Sequence, residues 1–111
     1  MQNSPFLALW EFHVKPECIV TFEEIYGSGG DWALLFNQSP DFRGTELIRD
    51  LNQPGRYLTL DRWTSGEALQ HFKQEHQTAY SDLDKKCESL TEKEAFLGNF
   101  ELWHCALAPK T

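Results

Sequence analysis

The sequence predicts an α+β protein of the ferredoxin-like class, with an antiparallel four-stranded sheet. Segments with the composition of strands and segments with the spacing of helices alternate along the chain in the order β-α-β-β-α-β. The length of 111 residues is that of one ordinary domain, and no repeat or linker interrupts it. In this arrangement both helical segments pack on one face of the sheet. We therefore expect residues 1–111 to form a single domain.

The first part of the chain predicts a strand followed by a helical segment in two pieces. Residues 6–14 are rich in aromatic and β-forming side chains, which is typical of a strand. Pro16 then suits the first turn of a helix, and apolar side chains recur at helical spacing over residues 19–26. The glycines of residues 27–30 end that helix, and a short second piece is expected over residues 32–37.

Three further strands are predicted downstream. Residues 44–51 and 56–63 have strand composition and are joined by Asn-Gln-Pro-Gly, a strong turn sequence. Residues 95–104 close the chain as a last strand, followed by a short tail. These segments complete the four strands of the predicted sheet.

The second helical segment lies between the third and fourth strands. Thr64 and Glu67 form the capping-box pattern that opens a helix. Apolar side chains then fall on one stripe from Leu69 to Leu90. An unbroken helix of that extent would be about 39 Å long, which exceeds the length of a small sheet. We therefore expect a kink or a break near residues 77–81.

Charge and cysteine content exclude several classes of protein. Ten Lys and Arg residues against 17 Asp and Glu residues give a net charge of −7, which repels phosphate backbones and anionic membranes. No apolar run is long enough to span a bilayer, and no secretory signal is visible. Three scattered cysteines without a Cys-x-x-Cys pair predict reduced thiols and no metal site. We expect a cytoplasmic protein that binds neither nucleic acid nor membranes.

Alternation along each strand divides its side chains between the two faces of the sheet. On each strand one set is almost purely apolar, and we expect it to pack under the helices. These sets are Phe6, Ala8, Trp10, Phe12 and Val14 on the first strand, Leu58 and Leu60 on the third, and Phe96, Gly98, Phe100 and Leu102 on the fourth. The opposite sets mix large apolar side chains with isolated acids, a histidine and an asparagine. Two helical segments cannot cover both faces, so the mixed face needs a partner.

A second copy of the same chain is the simplest partner for the mixed face, through a two-fold interface. The large apolar side chains assigned to that face are Leu7, Leu9, Trp63, Leu97 and Trp103. Burying five such side chains is worth on the order of 10 kcal/mol before the cost of association. Two facing sheets would enclose a cavity with a few polar groups among aromatic ones, as small-molecule pockets have. We therefore predict a homodimer with a ligand pocket between its sheets.

The candidate catalytic residues are Glu11, His13, Asp61 and His76. Glu11 and His13 share one strand face, where polar side chains are costly unless they are paired or hydrated. Pairing with Arg56 or Arg62 and a functional role both remain open for them. His76 interrupts an apolar stripe, so it is either a core histidine bonded to a backbone carbonyl or a base or ligand facing a pocket.

The candidate ligand-binding residues are Tyr57, Thr59, Trp63, Asn99 and Trp103. Trp63 shares its predicted strand face with Asp61, and it is either a packing anchor at the sheet edge or a platform for a substrate. No Ser-His-Asp order, nucleophile elbow or phosphate-binding loop accompanies these residues. The residue types therefore suit acid–base chemistry on an aromatic ligand without naming a reaction.

Three runs of sequence resemble the antibiotic biosynthesis monooxygenase (ABM) superfamily, whose members are dimeric α+β barrels. The runs are WEFHVKPECIVTFEEIYG, GDWALLFNQSPDFRGTELIRD and RYLTLDRWTSGEALQHFKQEHQTAY. The most characteristic piece is the strand that ends in Asp-Arg-Trp-Thr-Ser and leads at once into a helix. The resemblance implies a homodimer whose sheets close a barrel. Some members oxygenate polycyclic phenols with no metal or flavin, whereas others degrade haem or act as isomerases.

The resemblance favours a cofactor-independent monooxygenase acting on a small aromatic compound. The alternative is a non-catalytic module of the same fold that binds a small molecule or dimerises. A third option is haem binding or degradation, but the haem-degrading pattern is incomplete here. It needs an asparagine on the first strand, which is absent, and a tryptophan where Phe72 aligns, and His76 lies about a turn and a half early.

Overall fold

The computed structural model describes residues 5–106 and contains one antiparallel sheet of four strands. The strands are β1 (Phe6–Val14), β2 (Phe42–Arg49), β3 (Arg56–Trp63) and β4 (Thr91–Glu101). Their order across the sheet is β2-β3-β1-β4, with every neighbouring pair antiparallel. The predicted ferredoxin-like α+β class is confirmed. β1 and β3 have the predicted bounds, while β2 begins and ends two residues early and β4 begins four residues early.

Four α-helices accompany the sheet within residues 5–106. They are α1 (Ile19–Tyr26), α2 (Asp31–Phe36), α3 (Gly66–Glu75) and α4 (Gln77–Cys87), with single 3-10 turns at Pro16–Cys18 and Glu88–Leu90. The core lies between these helices and one face of the sheet. Phe12 of β1 packs its ring 5.3 Å from that of Phe22 in α1, and Trp63 of β3 packs 5.3 Å from Phe72 in α3. Among the described residues, no helix is long and apolar enough to cross a membrane.

The second helical segment breaks at His76, one residue before the predicted region. His76 has φ −114° and ψ 32°, outside the helical range, and separates α3 from α4. The N-cap of α3 is Ser65, whose hydroxyl accepts a hydrogen bond from the Ala68 amide at 3.1 Å. The predicted cap at Thr64 is therefore wrong by one residue. The Thr64 hydroxyl instead donates to the Asp41 carboxylate at 3.0 Å.

The face of the sheet toward the helices is the covered face, and the other is the open face. Ala8, Phe12 and Val14 of β1 are buried on the covered face, as predicted. Leu7 and Leu9 alternate with them and lie on the open face.

The predicted faces of β3 are reversed. Tyr57 lies opposite Phe12 and Trp63 lies opposite Phe6, so both are on the covered face, and they are only 2% and 0% exposed. Leu58 and Leu60 point to the open face. The prediction was wrong because the face of a strand follows from its register with β1, and composition alone does not reveal that register.

A β-bulge divides the predicted apolar set of β4. Trp10 pairs with Phe96, but its neighbour Leu9 pairs with Gly98, so one residue of β4 is inserted between them. Phe96 therefore packs against Trp10 with ring centroids 5.0 Å apart, whereas Phe100 lies opposite Leu7 on the open face. Gly98 at the bulge has φ +137°, a conformation that suits glycine. Strict alternation fails here because of the inserted residue.

The open face carries a group of large apolar side chains beside the Glu11–Arg56 ion pair, although its members differ from those predicted. Large side chains exposed there are Ile48, Leu97 and Phe100, at 47%, 43% and 48%. Trp63 does not belong to this face, because it is fully buried in the core. Trp103 lies beyond the end of β4 and is 72% exposed.

Candidate functional site

A cavity of about 300 Å³ lies between the covered face of the sheet and the helices. Its lining residues are Trp10, Phe12, Thr45, Thr59, Asp61 and Glu94 from the strands, and Tyr26, Trp32, Phe36, Lys73, Tyr80 and Asp84 from the helices. Its volume is at the lower end of the range for small-ligand pockets, about 300–1,000 Å³. The structure thus places the cavity within one chain, under the helices. This cavity lies on the other side of the sheet from the pocket predicted between two facing sheets, because Thr59 and Asp61 of β3 face the helices.

The hollow forms where short polar side chains replace large apolar ones on the sheet. Thr45, Thr59 and Asp61 occupy adjacent positions of β2 and β3 on the covered face, with Thr45 directly opposite Asp61. Aromatic rings from the helices close the space above them, and Trp32 meets Tyr80 edge-on with centroids 5.1 Å apart. Rigid rings over a polar floor leave room that the core does not fill.

Asp61 is the acidic group on the floor of the cavity. The Thr45 hydroxyl donates a hydrogen bond to one of its carboxylate oxygens at 2.6 Å. Asp61 is half-buried because its side chain faces the cavity rather than bulk water. Desolvation raises the pKa of Asp61 to about 6, while the Thr45 hydrogen bond and the nearby Lys73 ammonium oppose the rise. A carboxylate with a pKa close to neutrality is suited to accept a proton from a ligand.

Lys73 and Tyr80 form the adjoining wall. The Lys73 ammonium nitrogen lies 5.3 Å from the centre of the Tyr80 ring, within the range of a cation–π contact. Burial raises the pKa of Tyr80 to about 12, with smaller contributions from Asp84, Asp61 and Glu94. Tyr80 therefore keeps its hydroxyl proton at neutral pH and is available as a hydrogen-bond donor. Lys73 is the only cation among the described residues that line the cavity.

Two further acids, Asp84 of α4 and Glu94 of β4, line the cavity away from Asp61. Both residues are exposed to solvent. The pKa of Glu94 is raised, first by partial burial and then by the neighbouring charges of Asp84 and Glu88. The cavity therefore carries three carboxyl groups and one ammonium group.

Three of the predicted site residues line this space. Asp61 and Thr59 line the main cavity, and Asn99 lines an adjoining one of about 200 Å³ that shares Trp10, Asp61 and Lys73 with it. Asn99 reaches the covered face because the bulge in β4 places it opposite Ala8.

Tyr57 and Trp63 are on the covered face but outside the cavity. The Tyr57 hydroxyl donates a hydrogen bond to the Glu23 carboxylate, which ties β3 to α1. Trp63 packs edge-on against Phe36 at 5.4 Å, within the core. Trp63 is therefore surrounded by core side chains, as a packing anchor is.

Glu11 and His13 lie on the open face, remote from the cavity. Arg56 donates to the Glu11 carboxylate at 2.6 Å and to Asp50 at 3.0 Å, and the His13 ring lies 3.6 Å from Glu11. The hydrogen bond from Arg56 holds the pKa of Glu11 below its usual value. The structure thus shows the pairing with Arg56 that the sequence left open.

His76 and Trp103 also lie outside the cavity lining. The His76 ring stacks on Phe72 with centroids 4.4 Å apart, at the junction of α3 and α4. Trp103 is mostly exposed beyond β4. Within residues 5–106, no group of three His, Cys, Asp or Glu side chains is placed to hold a metal ion.

Sequence reasoning missed the helical side of the cavity. Lys73, Tyr80 and Asp84 are separated by seven and four residues, a spacing that puts them on one helical face even across the break at His76. That spacing marks a polar stripe beside the apolar one. The signal is weak in the sequence, because the tyrosine ring also fits the apolar stripe from Leu69 to Leu90.

The chain is similar to known proteins over nearly its whole length. A family model described as antibiotic biosynthesis monooxygenase matches residues 5–83. SnoaB from Streptomyces nogalater, a cofactor-independent oxygenase, matches with a TM-score of 0.66 at 18% identity over 98% of this chain and 97% of that chain. Rv0793 from Mycobacterium tuberculosis gives 0.62 at 14% identity, over 96% and 100% of the chains. No curated protein sequence matches at a significant level. At these identities the solved structures establish the fold alone.

Proposed function

Because this chain belongs to the antibiotic biosynthesis monooxygenase family, we propose that it is a cofactor-independent monooxygenase that oxygenates a small aromatic compound in the cavity under its helices. The observation that carries this proposal is Asp61, a desolvated carboxylate with a pKa of about 6 on the floor of an aromatic cavity. The similarity to an oxygenase that needs no cofactor agrees with it.

The proposed reaction converts a phenol with a free para position and one O2 into a para-quinone and one water. Asp61 accepts the phenolic proton, and the electron-rich phenolate passes one electron to O2. The resulting phenoxyl radical and superoxide combine at the para carbon, and the peroxide takes up the proton. Loss of the para hydrogen as a proton then breaks the O–O bond and releases water. The substrate supplies all four electrons, so no external reductant is needed.

The remaining groups of the cavity stabilise charge and exclude water. The Lys73 ammonium is placed to stabilise the phenolate that forms near Asp61, since both line the same cavity. Thr45 holds the Asp61 carboxylate through its hydrogen bond at 2.6 Å. The aromatic walls keep the reacting centre dry, which strengthens both electrostatic effects.

Oxygen consumption across a panel of phenols with a free para position tests this function. Replacing Asp61 with asparagine keeps a hydrogen-bond acceptor for Thr45 but removes the base, so kcat is expected to fall about 10²- to 10⁴-fold. In the wild type, kcat/KM is expected to rise with pH through about 6, as Asp61 loses its proton. Asp82→Asn is the matched control, because Asp82 is an exposed acid of α4 outside the cavity lining. Absence of turnover by the folded wild type across the panel would favour the non-catalytic module.

We also propose that a second copy of the chain covers the open face. Ile48, Leu97 and Phe100 are each more than 40% exposed there, beside Leu7 and Leu9. A contiguous apolar sheet face of this kind is rare on a soluble monomer. A two-fold dimer would bury it without touching the covered face or the cavity.

A further inference from the structure

The two ends of the cavity differ in charge along β1. Asp61 is paired across the sheet with Ala8, and Glu94 is paired with Phe12 on the other side of β1. Phe12 lies four positions beyond Ala8 on β1, which corresponds to about 13 Å along the strand. Lys73 lines the cavity together with Asp61, so the charge there is balanced when both groups are ionised.

The other end has no such balance. Asp84 and Glu94 line it, and the charges that act on Glu94 are those of the acids Asp84 and Glu88, whereas the Lys73 ammonium acts on Asp61. The exposure of both carboxyl groups keeps them hydrated and accessible to a ligand that enters the cavity. Desolvation raises the pKa of Glu94 first, and the neighbouring negative charges of Asp84 and Glu88 add to the rise. The net charge of −7 on the chain adds to the attraction for a cation.

The wall between the two ends is aromatic. Tyr26, Trp32 and Tyr80 line it, and Trp32 has its ring 6.1 Å from Tyr26 and 5.1 Å from Tyr80. Such ring faces attract an ammonium group through their quadrupoles. Tyr80 already accepts a cation on its ring, since Lys73 lies over it at 5.3 Å.

We propose that the natural ligand of this cavity is a phenol with a free para position that carries a protonated amine on a short aliphatic arm. Its hydroxyl group binds at Asp61 and Lys73, its ring packs against the aromatic wall, and its ammonium group binds between Asp84 and Glu94. This inference deepens the proposed function, because it names the substrate class for the same cavity. An anionic phenol of the same size binds more weakly, because the two carboxylates repel it.

Three phenols that differ in the charge of the arm test the proposal. All three keep the position para to the hydroxyl group free, as the proposed reaction requires. 3-(2-Aminoethyl)phenol is the cationic ligand, 3-ethylphenol the neutral one and 3-(3-hydroxyphenyl)propionate the anionic one. Titration calorimetry with the wild type, carried out without oxygen, is expected to show the aminoethyl phenol binding about five- to tenfold tighter than 3-ethylphenol, with the propionate weakest. The preference is expected to shrink as salt is added, because both carboxylates are exposed.

Charge-removing variants locate the preference. The double variant Asp84→Asn and Glu94→Gln is expected to bring the affinity for 3-(2-aminoethyl)phenol down to that for 3-ethylphenol and to leave the affinity for 3-ethylphenol unchanged. Asp82→Asn removes one charge from the same helix outside the cavity and is expected to keep most of the preference. Equal affinities of the wild type for 3-(2-aminoethyl)phenol and 3-ethylphenol, or no binding of either, would overturn the proposal. An equal loss of preference in Asp82→Asn would also overturn it.

These outcomes are separate from those of the oxygenase assay. Selective binding of 3-(2-aminoethyl)phenol with no oxygen consumption when O2 is supplied supports the ligand class and contradicts the proposed reaction. Turnover of neutral phenols with no preference for the amine supports the reaction and contradicts the ligand class.

Discussion

The covered face and the open face of the sheet each hold a carboxylate beside a cation, but the two are arranged in opposite ways. On the open face, Glu11 accepts a hydrogen bond from Arg56 at 2.6 Å, and Arg56 also binds Asp50. On the covered face, the hydrogen bond of Asp61 comes from the neutral Thr45 hydroxyl. The pKa of Glu11 is lowered as a result, whereas the pKa of Asp61 is raised to about 6.

This difference separates a carboxylate with a structural role from one that is available for chemistry. A carboxylate that is fully paired holds two strands together, and its oxygens are already occupied by hydrogen bonds. A carboxylate that is desolvated beside a cavity binds a proton or a cation more readily, because burial destabilises its charged form. Composition made Glu11 and Asp61 look alike in the sequence, and only their surroundings distinguish them.

The largest expected effect on stability comes from replacing Trp63 by alanine, and Trp103, which the sequence predicts on the same face, provides the comparison. Trp63→Ala removes a fully buried ring from the core and is expected to lower the free energy of unfolding by about 3–5 kcal/mol. Trp103→Ala, at a side chain that is 72% exposed, is expected to change it by less than about 0.5 kcal/mol. Urea unfolding measures both. Equal effects would contradict the burial of Trp63 on the covered face.

A charge on the open face tests whether that face is an interface. Leu9→Lys places an ammonium group between Leu60 and Gly98, and we expect it to weaken dimerisation by about 2–4 kcal/mol while the chain stays folded. Sedimentation at micromolar concentration measures the loss of dimer. Leu34→Lys is the control, since Leu34 is already 64% exposed on α2. A wild-type chain that sediments as a monomer would overturn the proposed interface.

The raised pKa of Asp61 predicts that this side chain destabilises the fold at neutral pH. Its pKa rises from 3.8 to about 6 on folding, so the folded state holds its proton more tightly. Stability contributed by the protonated form is present below about pH 4 and is lost as the pH rises through 6. Asp61→Asn is therefore expected to raise the free energy of unfolding at pH 7.5 by on the order of 2 kcal/mol, and to change it little at pH 4. Urea unfolding at the two pH values tests the sign.

The smallest expected effect on stability is that of Glu11 on the open face. Its sign is opposite to that of Asp61, because the Glu11 carboxylate stabilises the fold at neutral pH. The pKa of Glu11 is lowered by Arg56, so its contribution to stability is present above the ordinary pKa of glutamate and is lost as the pH falls through the lowered value. Glu11→Gln is expected to reduce stability at pH 7.5 and to have a smaller effect at acidic pH. The same unfolding series measures it. If Glu11→Gln instead stabilised the fold at neutral pH, the contrast drawn between Glu11 and Asp61 would be contradicted.

The sequence predicted the elements better than their faces. Turn and capping residues are local signals, so β1, β3 and the break near His76 were found within one residue. The face of β3 depends on which of its residues meets Phe12 across the sheet, which is a long-range pairing. The bulge beside Gly98 likewise follows from pairing with β1.

The correctly predicted part of the candidate site is its strand side, since His76, the candidate from the helices, lies outside the cavity lining. Asp61, Thr59 and Asn99 are predicted from the mixed sides of their strands, and the structure places all three against connected cavities. Glu11 and His13 interrupt a strand in the same manner but lie on the other face. Lys73 and Tyr80 were missed because an amphipathic helix mixes polar and apolar side chains in any case.

The bulge in β4 also bears on how the chain avoids aggregation. β4 is an edge strand, and residues 95–100 form an uncharged, largely apolar run of the kind that pairs with other strands. The extra residue before Gly98 interrupts the regular row of unpaired backbone groups in the middle of that run. An edge strand of another molecule therefore cannot pair with a long, regular stretch of β4. Glu92, Lys93 and Glu94 protect the preceding part of the same edge with charge.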